Sequence, residues 1–184
     1  MALRIKSHWR NPEQARSVPE VAGALAFIAW QLAVEKAINL HCERFVYEDD
    51  GQRMAVIQEY LVFLIQIADR LSYASMSEED RRTLIATLVA KVIEQVQDNG
   101  QDLFGDGDYG RPFIALLDRR SSEYAQFHCD DEGPSYPFLR YLGYEIQCVM
   151  GQREENRWAI DQVMDKDGWE AYKQFSGAFR NLFD

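Results

Sequence analysis

Residues 52–74 read QRMAVIQEYLVFLIQIADRLSYA, and this stretch decides the fold class of the chain. Its centre, residues 60–65, is apolar on nearly every side, which suits either a buried strand or a helix packed on several sides. The helical pattern extends well beyond these six residues, and Glu59, Asp69 and Arg70 flank them with charge. We therefore predict a helix over residues 52–74 that occupies the centre of the fold.

The predicted central helix lies within residues 20–111, which contain no proline and repeat apolar residues at helical spacing. An acidic turn at residues 48–51 ends a first helix, predicted over residues 20–47. A broad apolar face is predicted for that helix. Its main stripe is Phe27, Trp30, Val34, Ile38 and Phe45, with Val21, Leu25, Ile28 and Leu32 beside it.

A third helix is predicted from Ser77, a good N-cap residue, to the Asn-Gly pair at residues 99–100, a common helix stop. Three acidic residues in its first turn favour the helix dipole. Residues 98–111 read DNGQDLFGDGDYGR and are predicted to form a loop rich in Gly and Asp.

Proline and glycine punctuate the second half of the chain. The predicted elements are a fourth helix from Pro112 to residue 127, a fifth over residues 136–150, and one or two helices divided near residues 167–168. Residues 1–18 are predicted to be an irregular N-terminal arm, and residues 19–184 a single domain. The expected fold is all-α, a compact bundle of six or seven helices with the second helix central.

The chain is acidic, with a formal net charge of -10 over 184 residues. Nucleic-acid binding needs Lys and Arg to displace the counterions of the phosphates, so this composition argues against a DNA or RNA partner. An acidic surface instead attracts a basic protein, or simply keeps the chain soluble.

Three cysteines, Cys42, Cys129 and Cys148, are too few and odd in number for a disulfide framework, which favours a reducing compartment. The apolar residues 21–34 follow a basic start, as in a signal peptide, but Gln31 interrupts them and no small-residue cleavage site is evident. The run is also too short to span a bilayer. We predict a cytoplasmic protein that does not enter a membrane.

Two sets of side chains have the chemistry of metal ligands. The first is a row of carboxylates, Asp98, Asp102, Asp106 and Asp108, and the second is two adjacent pairs, His41-Cys42 and His128-Cys129. The carboxylates lack the spacing of an EF-hand, and adjacent helical residues point about 100° apart. Motifs for a di-iron centre, a catalytic nucleophile or a nucleotide are missing as well. We predict no metal and no cofactor.

Two hypotheses of function follow. The first is an acidic helical module for protein–protein interaction, such as an inhibitor or immunity protein, an adaptor or a chaperone, with no catalysis of its own. The second is a helical protein that binds a small molecule or a metal, which leaves an enzymatic activity open. We favour the first because the chain is acidic and carries no catalytic signature.

Partner-binding residues are predicted at the acidic turns and among the tyrosines, since tyrosine is enriched in interface hot spots. The predicted contacts with another protein, a basic one in the sharper form of the hypothesis, are Glu48, Asp49, Asp50, Asp130, Asp131, Glu132, Tyr136 and Tyr141. An apolar helix face would also allow a homodimer.

Overall fold

The computed structural model describes residues 16–130 and 132–183. Its α-helices are α1 (Val18–Cys42), α2 (Asp50–Ser75), α3 (Glu78–Phe104), α4 (Gly110–Tyr124), α5 (Tyr136–Met150), α6 (Ala159–Gln162) and α7 (Gly168–Phe183). A π-helical turn, Val163–Asp167, joins α6 to α7, so the two form one continuous helical segment. A 3-10 turn, Glu154–Asn156, and two short antiparallel strands, β1 (Cys129–Asp130) and β2 (Gly133–Pro134), complete the described part. The predicted all-α class is confirmed.

The position of α2 agrees with the predicted central helix. All six residues from 60 to 65 are buried, and α2 contacts α1, α3, α4, α5 and α7. Its start is set by Asp49, whose side chain caps the first turn. A helix that is apolar on nearly every side is stable in water only when neighbours cover each side, and here five helices do so.

The helix α1 is shorter than predicted, and the predicted apolar stripe is partly wrong. The helix ends at Cys42 rather than near residue 47, and Arg44 follows with a positive φ of 80°. Phe27 and Ile38 of the predicted stripe are 42% and 53% exposed. The buried face instead combines larger residues with a row of alanines: Ala22, Ala26, Ala29, Ala33 and Ala37. Small side chains let α1 approach its neighbours closely, so this face is the buried one.

By length and composition alone, α1 is long and apolar enough to cross a membrane. Half of its most apolar window is buried inside the fold, and the core helix of a soluble protein passes the same test. This feature is therefore weak evidence for a membrane location, and the fold is consistent with a soluble protein. Residues 1–15, most of the predicted N-terminal arm, lie outside the described residues.

The third helix is longer than predicted, and the predicted loop over residues 98–111 is wrong for most of its length. The helix α3 continues through Gly100 to Phe104, and the connection to α4 is only residues 105–109. Gly105, at a φ of 87°, ends the helix instead of the Asn-Gly pair. Gly100 stays helical because it is buried beneath the ring of Tyr109, which needs the space a side chain would fill.

The second half follows the predicted punctuation with three differences. The helix α4 begins at Gly110 rather than at Pro112 and ends at Tyr124 rather than at residue 127, and the hairpin of β1 and β2 was not predicted. Gly133, at a φ of 121°, lies against Trp169 and Tyr172, which leaves no room for a side chain. The predicted division near residues 167–168 is a π-helical turn rather than a break. The predicted bounds of α5 are confirmed.

Candidate protein-binding surface

The first group of predicted partner-binding residues forms the exposed turn between α1 and α2. The side chain of Asp49 accepts a backbone hydrogen bond at 2.8 Å and caps α2. The carboxylate of Asp50 lies 2.9 Å from Arg53, and that of Glu48 lies 3.2 Å from Arg153. These carboxylates are accessible to a partner, but each already has a role in holding the turn.

The second group lies in the hairpin. Asp130 accepts a hydrogen bond from the backbone N–H of Glu132 at 2.9 Å, and its other oxygen lies 3.1 Å from Nε2 of His128. The backbone hydrogen bond, together with His128, holds the pKa of Asp130 below its ordinary value. Both residues 130 and 132 are exposed, and Asp131 lies outside the described residues.

The two predicted tyrosines occupy different environments on α5. Tyr136 is exposed and lines a cavity of about 340 Å³ together with Arg140 and Trp158. Tyr141 is only half-buried, and its hydroxyl accepts a hydrogen bond from Arg120 at 3.3 Å. The side chain of Tyr136 is therefore accessible from solvent, whereas Tyr141 takes part in an internal network.

The predicted residues do not form one continuous surface. The acidic turn stands at the first residue of α2, and Asp130 lines a cavity of about 480 Å³ with residues of the last turns of α2. Since α2 has 26 residues, these two groups are separated by most of a helix about 39 Å long. A single partner of ordinary interface size would contact one group or the other.

A fourth surface combines the acidic and apolar character that an interface with a basic protein requires, and we call it the α3–α4 surface. It surrounds a cavity of about 460 Å³ between the two helices. The cavity is lined by Ile93, Glu94, Gln97, Asp98, Asp108, Gly110, Arg111 and Ile114. We include in this surface the exposed residues Asp102, Phe104 and Asp106, which follow along the chain at the end of α3 and in the connecting loop.

Large apolar side chains are exposed on the α3–α4 surface. Phe104 is 43% exposed, and Ile114, which lines the cavity, is 42% exposed. Leu103 is exposed as well, but it follows Val92 and Val96 at helical spacing, so it lies on the opposite side of α3 from Glu94 and does not belong to this surface. Exposed large apolar residues with polar neighbours are typical of interaction sites.

The charge of the α3–α4 surface is predominantly negative and largely uncompensated. Asp98, Asp102 and Asp106 make no ion pair with any residue that the structure describes. Glu94 pairs with a lysine one turn earlier, and Asp108 lies 3.3 Å from Arg111. The last turn of α3 carries no basic residue, so the negative end of the helix dipole adds to the same field.

The loop that borders this surface is held by side chains of α3. The amide oxygen of Gln97 accepts from the backbone N–H groups of Tyr109 and Gly110 at 2.8 and 3.0 Å, and its NH₂ group donates to Gly107 at 2.7 Å. The hydroxyl of Tyr109 donates to the carbonyl of Gly105 at 3.0 Å. These bonds preform the surface, which lowers the entropic cost of binding.

The same carboxylates were the oxygen-rich row considered as metal ligands. Asp98 and Asp102 are on α3, whereas Asp106 and Asp108 are in the loop. Among residues 16–130 and 132–183, no group of three or more His, Cys, Asp or Glu side chains has an arrangement that could hold a metal ion.

A buried polar network ties α2, α4 and α5 together. The guanidinium of Arg120 binds Glu59 through two nitrogens, at 3.0 and 2.7 Å, and also pairs with Glu145. Burial raises the pKa of Glu145, although Arg120 acts in the opposite direction. Glu59 is fully buried, and none of the cavities that we describe reaches this network. We interpret it as a structural connection between helices.

A second buried polar cluster surrounds the π-helical turn. Lys36 is almost fully buried and its amine lies 2.9 Å from Glu170. Asp167 accepts one hydrogen bond from Gln162 at 3.3 Å, and its Oδ1 has no hydrogen-bond partner among the described residues. The buried hydroxyl of Tyr60 likewise lacks a partner within the described part. Burial raises the pKa of Asp167.

Sequence reasoning identified the acidity of residues 98–108 but left this segment out of the predicted partner-binding residues. The signal was present: Leu103 and Phe104 are adjacent large apolar residues within an acidic stretch. Their exposure could not be predicted, because it depends on where α3 passes the end of the core.

Comparison of the chain with protein-family models, with curated proteins and with solved structures finds no match.

Proposed function

We propose that this protein is a helical protein–protein interaction module with no catalysis of its own, and that it binds a basic partner protein through the α3–α4 surface. The observation that carries the proposal is the combination of Asp98, Asp102 and Asp106, which lack a cationic partner among the described residues, with the exposed Phe104 and Ile114. The apolar side chains account for the affinity, and the carboxylates account for the choice of partner and the rate of association.

The exposed apolar side chains supply affinity. Burial of a fully exposed large apolar side chain contributes about 1.5–3 kcal/mol to the binding free energy. Because these side chains are only partly exposed before binding, each contributes a part of that amount. Phe104 also contacts the ring of Tyr109 at a centroid distance of 5.9 Å, so it belongs to an aromatic pair at the tip of α3. Aromatic residues are enriched in the centres of protein interfaces.

The carboxylates supply partner choice and speed of association. A negative patch accelerates encounter with a basic surface and disfavours an acidic one. The effect weakens with salt, because the Debye length falls from about 10 Å at 0.1 M to about 3 Å at 1 M. The affinity of the proposed complex therefore decreases as the ionic strength rises.

The other predicted partner-binding residues stay predictions within this proposal. Glu48, Asp49, Asp50, Asp130 and Glu132 are accessible and acidic and would add to the attraction of a basic partner. A cytoplasmic location is likewise part of the proposal, and it is supported by three cysteines that all carry free thiols.

The test is affinity purification with the full chain as bait at low and high salt, followed by identification of retained proteins. The surface variant carries Asp98→Asn, Asp102→Asn and Asp106→Asn. We expect wild type to retain a basic protein that is released by salt. We expect the variant to lose it, because the unpaired carboxylates of the α3–α4 surface are gone and only Glu94 and Asp108, which have cationic partners, remain.

A control variant removes the same number of charges from other exposed positions through Glu123→Gln, Glu155→Gln and Asp165→Asn. It should retain the partner as wild type does. Retention of the same proteins by the surface variant would show that the α3–α4 surface is not the binding site.

A ligand-binding function is the second candidate, and the cavity beside the hairpin favours it. Its volume is about 480 Å³, and its lining includes Arg70, Cys129 and Arg180. The Nε of Arg70 is buried with no hydrogen-bond partner among the described residues. Native mass spectrometry of the purified protein tests this candidate: a retained small molecule lost on Arg70→Met supports it, and the mass of the bare chain counts against it.

A further inference from the structure

We infer that the element bound at the α3–α4 surface is a basic amphipathic α-helix of the partner, which lies in the groove between α3 and α4. The inference rests on the proposed function, because it names the chemistry and the shape of what that same surface binds. The charge of this surface, its apolar lining and the spacing of its carboxylates all match such a helix.

The groove has an isoleucine on each helix and carboxylates along its α3 side, whereas Arg111 of α4, which pairs with Asp108, also lines it. Ile93 on α3 and Ile114 on α4 both line the cavity, and Glu94 and Asp98 accompany Ile93 on the α3 side. Asp108 lines it from the connecting loop. A ligand that fits must therefore present an apolar stripe with cationic side chains along the edge that faces α3, which is the pattern of a basic amphipathic helix.

The spacing of the carboxylates on α3 matches a helix. Glu94 and Asp98 are four residues apart on α3, so they lie one helical turn apart on the same side. Asp102 continues this row at the same interval. Lysines or arginines that recur every four residues along a partner helix would meet one carboxylate at each turn, since both helices have the same rise of about 5.4 Å per turn.

An extended peptide has no comparable template here. Added strands bind through unpaired backbone groups at a sheet edge. In the described part of the chain, the strands are the two-residue β1 and β2, and Gly133 of β2 lies against α7 rather than α3 or α4. Away from their ends, the backbone groups of α3 and α4 are satisfied within their helices, and at the start of α4 the side chains of Gln97 and Asp108 bind the N–H groups of Gly110 and Arg111. Side-chain packing is therefore the available mode.

The groove is also suited to a rigid ligand. Gln97 binds three backbone groups of the connecting loop, and this fixes the position of Asp108 relative to α3. A preformed receptor gains most from a ligand that is itself ordered, because neither side then loses much conformational entropy.

Synthetic peptides of about 18 residues, some 27 Å long as helices, provide the probes. The first carries leucines at helical spacing on one face and lysines elsewhere. The second has the same composition with the leucines distributed around the helix, and the third has two central prolines that break the helix. Fluorescence anisotropy with the full protein measures the dissociation constants.

We expect the first peptide to bind at least about tenfold more tightly than the other two. Ile114→Asp should weaken its binding by about tenfold, because a charge replaces one of the isoleucines that line the groove. Ile38→Asp, at an exposed apolar residue on α1, should leave binding unchanged. Thermal unfolding shows whether both variants fold. Hydrogen exchange of the unmodified protein, with protection expected at residues 93–98 and 108–114, locates the peptide without any variant.

The outcomes separate the inference from the proposed function. If the second or third peptide binds as tightly as the first, charge alone directs binding: the helix inference is overturned and a basic partner still stands. If no peptide binds, or if protection appears elsewhere, the inference is also overturned. The affinity purification with the aspartate variant then decides the proposed function independently.

Discussion

The ring of Tyr109 lies directly against Gly100, so that a Cβ atom placed at residue 100 would be 2.3 Å from the Cγ of the tyrosine. This contact lets the connecting loop fold back on α3 and lets the helix continue past its Asn-Gly pair. The same contact shapes the groove that we propose as the binding site. Asp108 and Gly110 line this groove, and as chain neighbours of Tyr109 they are positioned by its contact with Gly100.

Replacement of this glycine should therefore destabilise the protein. In a helix, Gly→Ala ordinarily stabilises by about 1 kcal/mol. Gly100→Ala should instead lower the free energy of unfolding by about 1–3 kcal/mol, because the methyl group overpacks the contact with Tyr109. Gly23→Ala is the control, since no atom outside the neighbouring backbone of α1 lies within 4 Å of a Cβ there, and it should raise the stability. Urea denaturation measures both, and equal effects would contradict the proposed role of the contact.

The network around Arg120 predicts a large loss of stability when its cation is removed. Arg120→Met leaves Glu59 and Glu145 without their buried partner and should cost about 3–5 kcal/mol in the free energy of unfolding. Arg119→Met, at the exposed neighbour, should change it by less than about 0.5 kcal/mol. If Glu59→Gln is introduced first, the cost of Arg120→Met should fall, because less charge remains unpaired. An undiminished cost would show that packing, and not charge, explains the loss.

Burial of Asp167 predicts a pH dependence with a definite sign. Its pKa is raised in the folded state, so between the ordinary value of 3.8 and the raised pKa the folded protein binds more protons than the unfolded chain. Stability must then fall as the pH rises through this window, and it stays lower above the folded pKa. Asp167→Asn should remove this loss. The free energy of unfolding of the variant minus that of wild type should therefore be larger at pH 7 than at pH 3.

Chemical denaturation at both pH values measures the effect. Asp165→Asn, at an exposed residue one position before Lys166, is the matched control and should follow the wild-type curve. If the Asp167→Asn and wild-type curves stay parallel from pH 3 to pH 7, the ionisation of Asp167 does not affect stability.

The three cysteines should differ in reactivity. Burial raises the pKa of the Cys129 thiol to about 11, whereas Cys42 and Cys148 are exposed. Since the thiolate is the reactive form, Cys129 should be alkylated by iodoacetamide at pH 8 more than about tenfold more slowly than the other two. Peptide mass spectrometry over a time course measures the three rates in one sample. Alkylation of Cys129 as fast as that of Cys148 would show that the hairpin does not protect it.

Local signals predicted the helices that they control. Ser77 caps α3 and α5 begins at Tyr136, both as predicted. The acidic turn was predicted to end the first helix, but α1 ends at Cys42 and Asp49 of this turn instead caps α2. These signals act within a few residues, so they can be read without knowledge of the rest of the chain. The central position of α2 was also predictable, because a helix apolar all round must be covered on every side.

Contacts between distant residues decided what the local signals could not. An Asn-Gly pair usually ends a helix, but Tyr109 covers Gly100 and α3 continues. In α1, both the alanine row and the stripe with Phe27 and Ile38 are apolar, so hydrophobicity alone does not select the buried face. The choice depends on how closely the neighbouring helices approach, which is a property of their packing.

By itself, the sequence determined the all-α class, the central helix and the acidity. Acidity is a property of the composition of the whole chain, whereas apolar periodicity and capping residues act locally on each helix. Only the tertiary structure decided where the exposed acidic and apolar residues meet. The residues Asp98 and Asp102, predicted in a loop, lie on α3 beside an apolar groove that α4 completes. A surface of this kind exists only after two helices are packed, since its two sides come from different elements whose relative position no local pattern encodes.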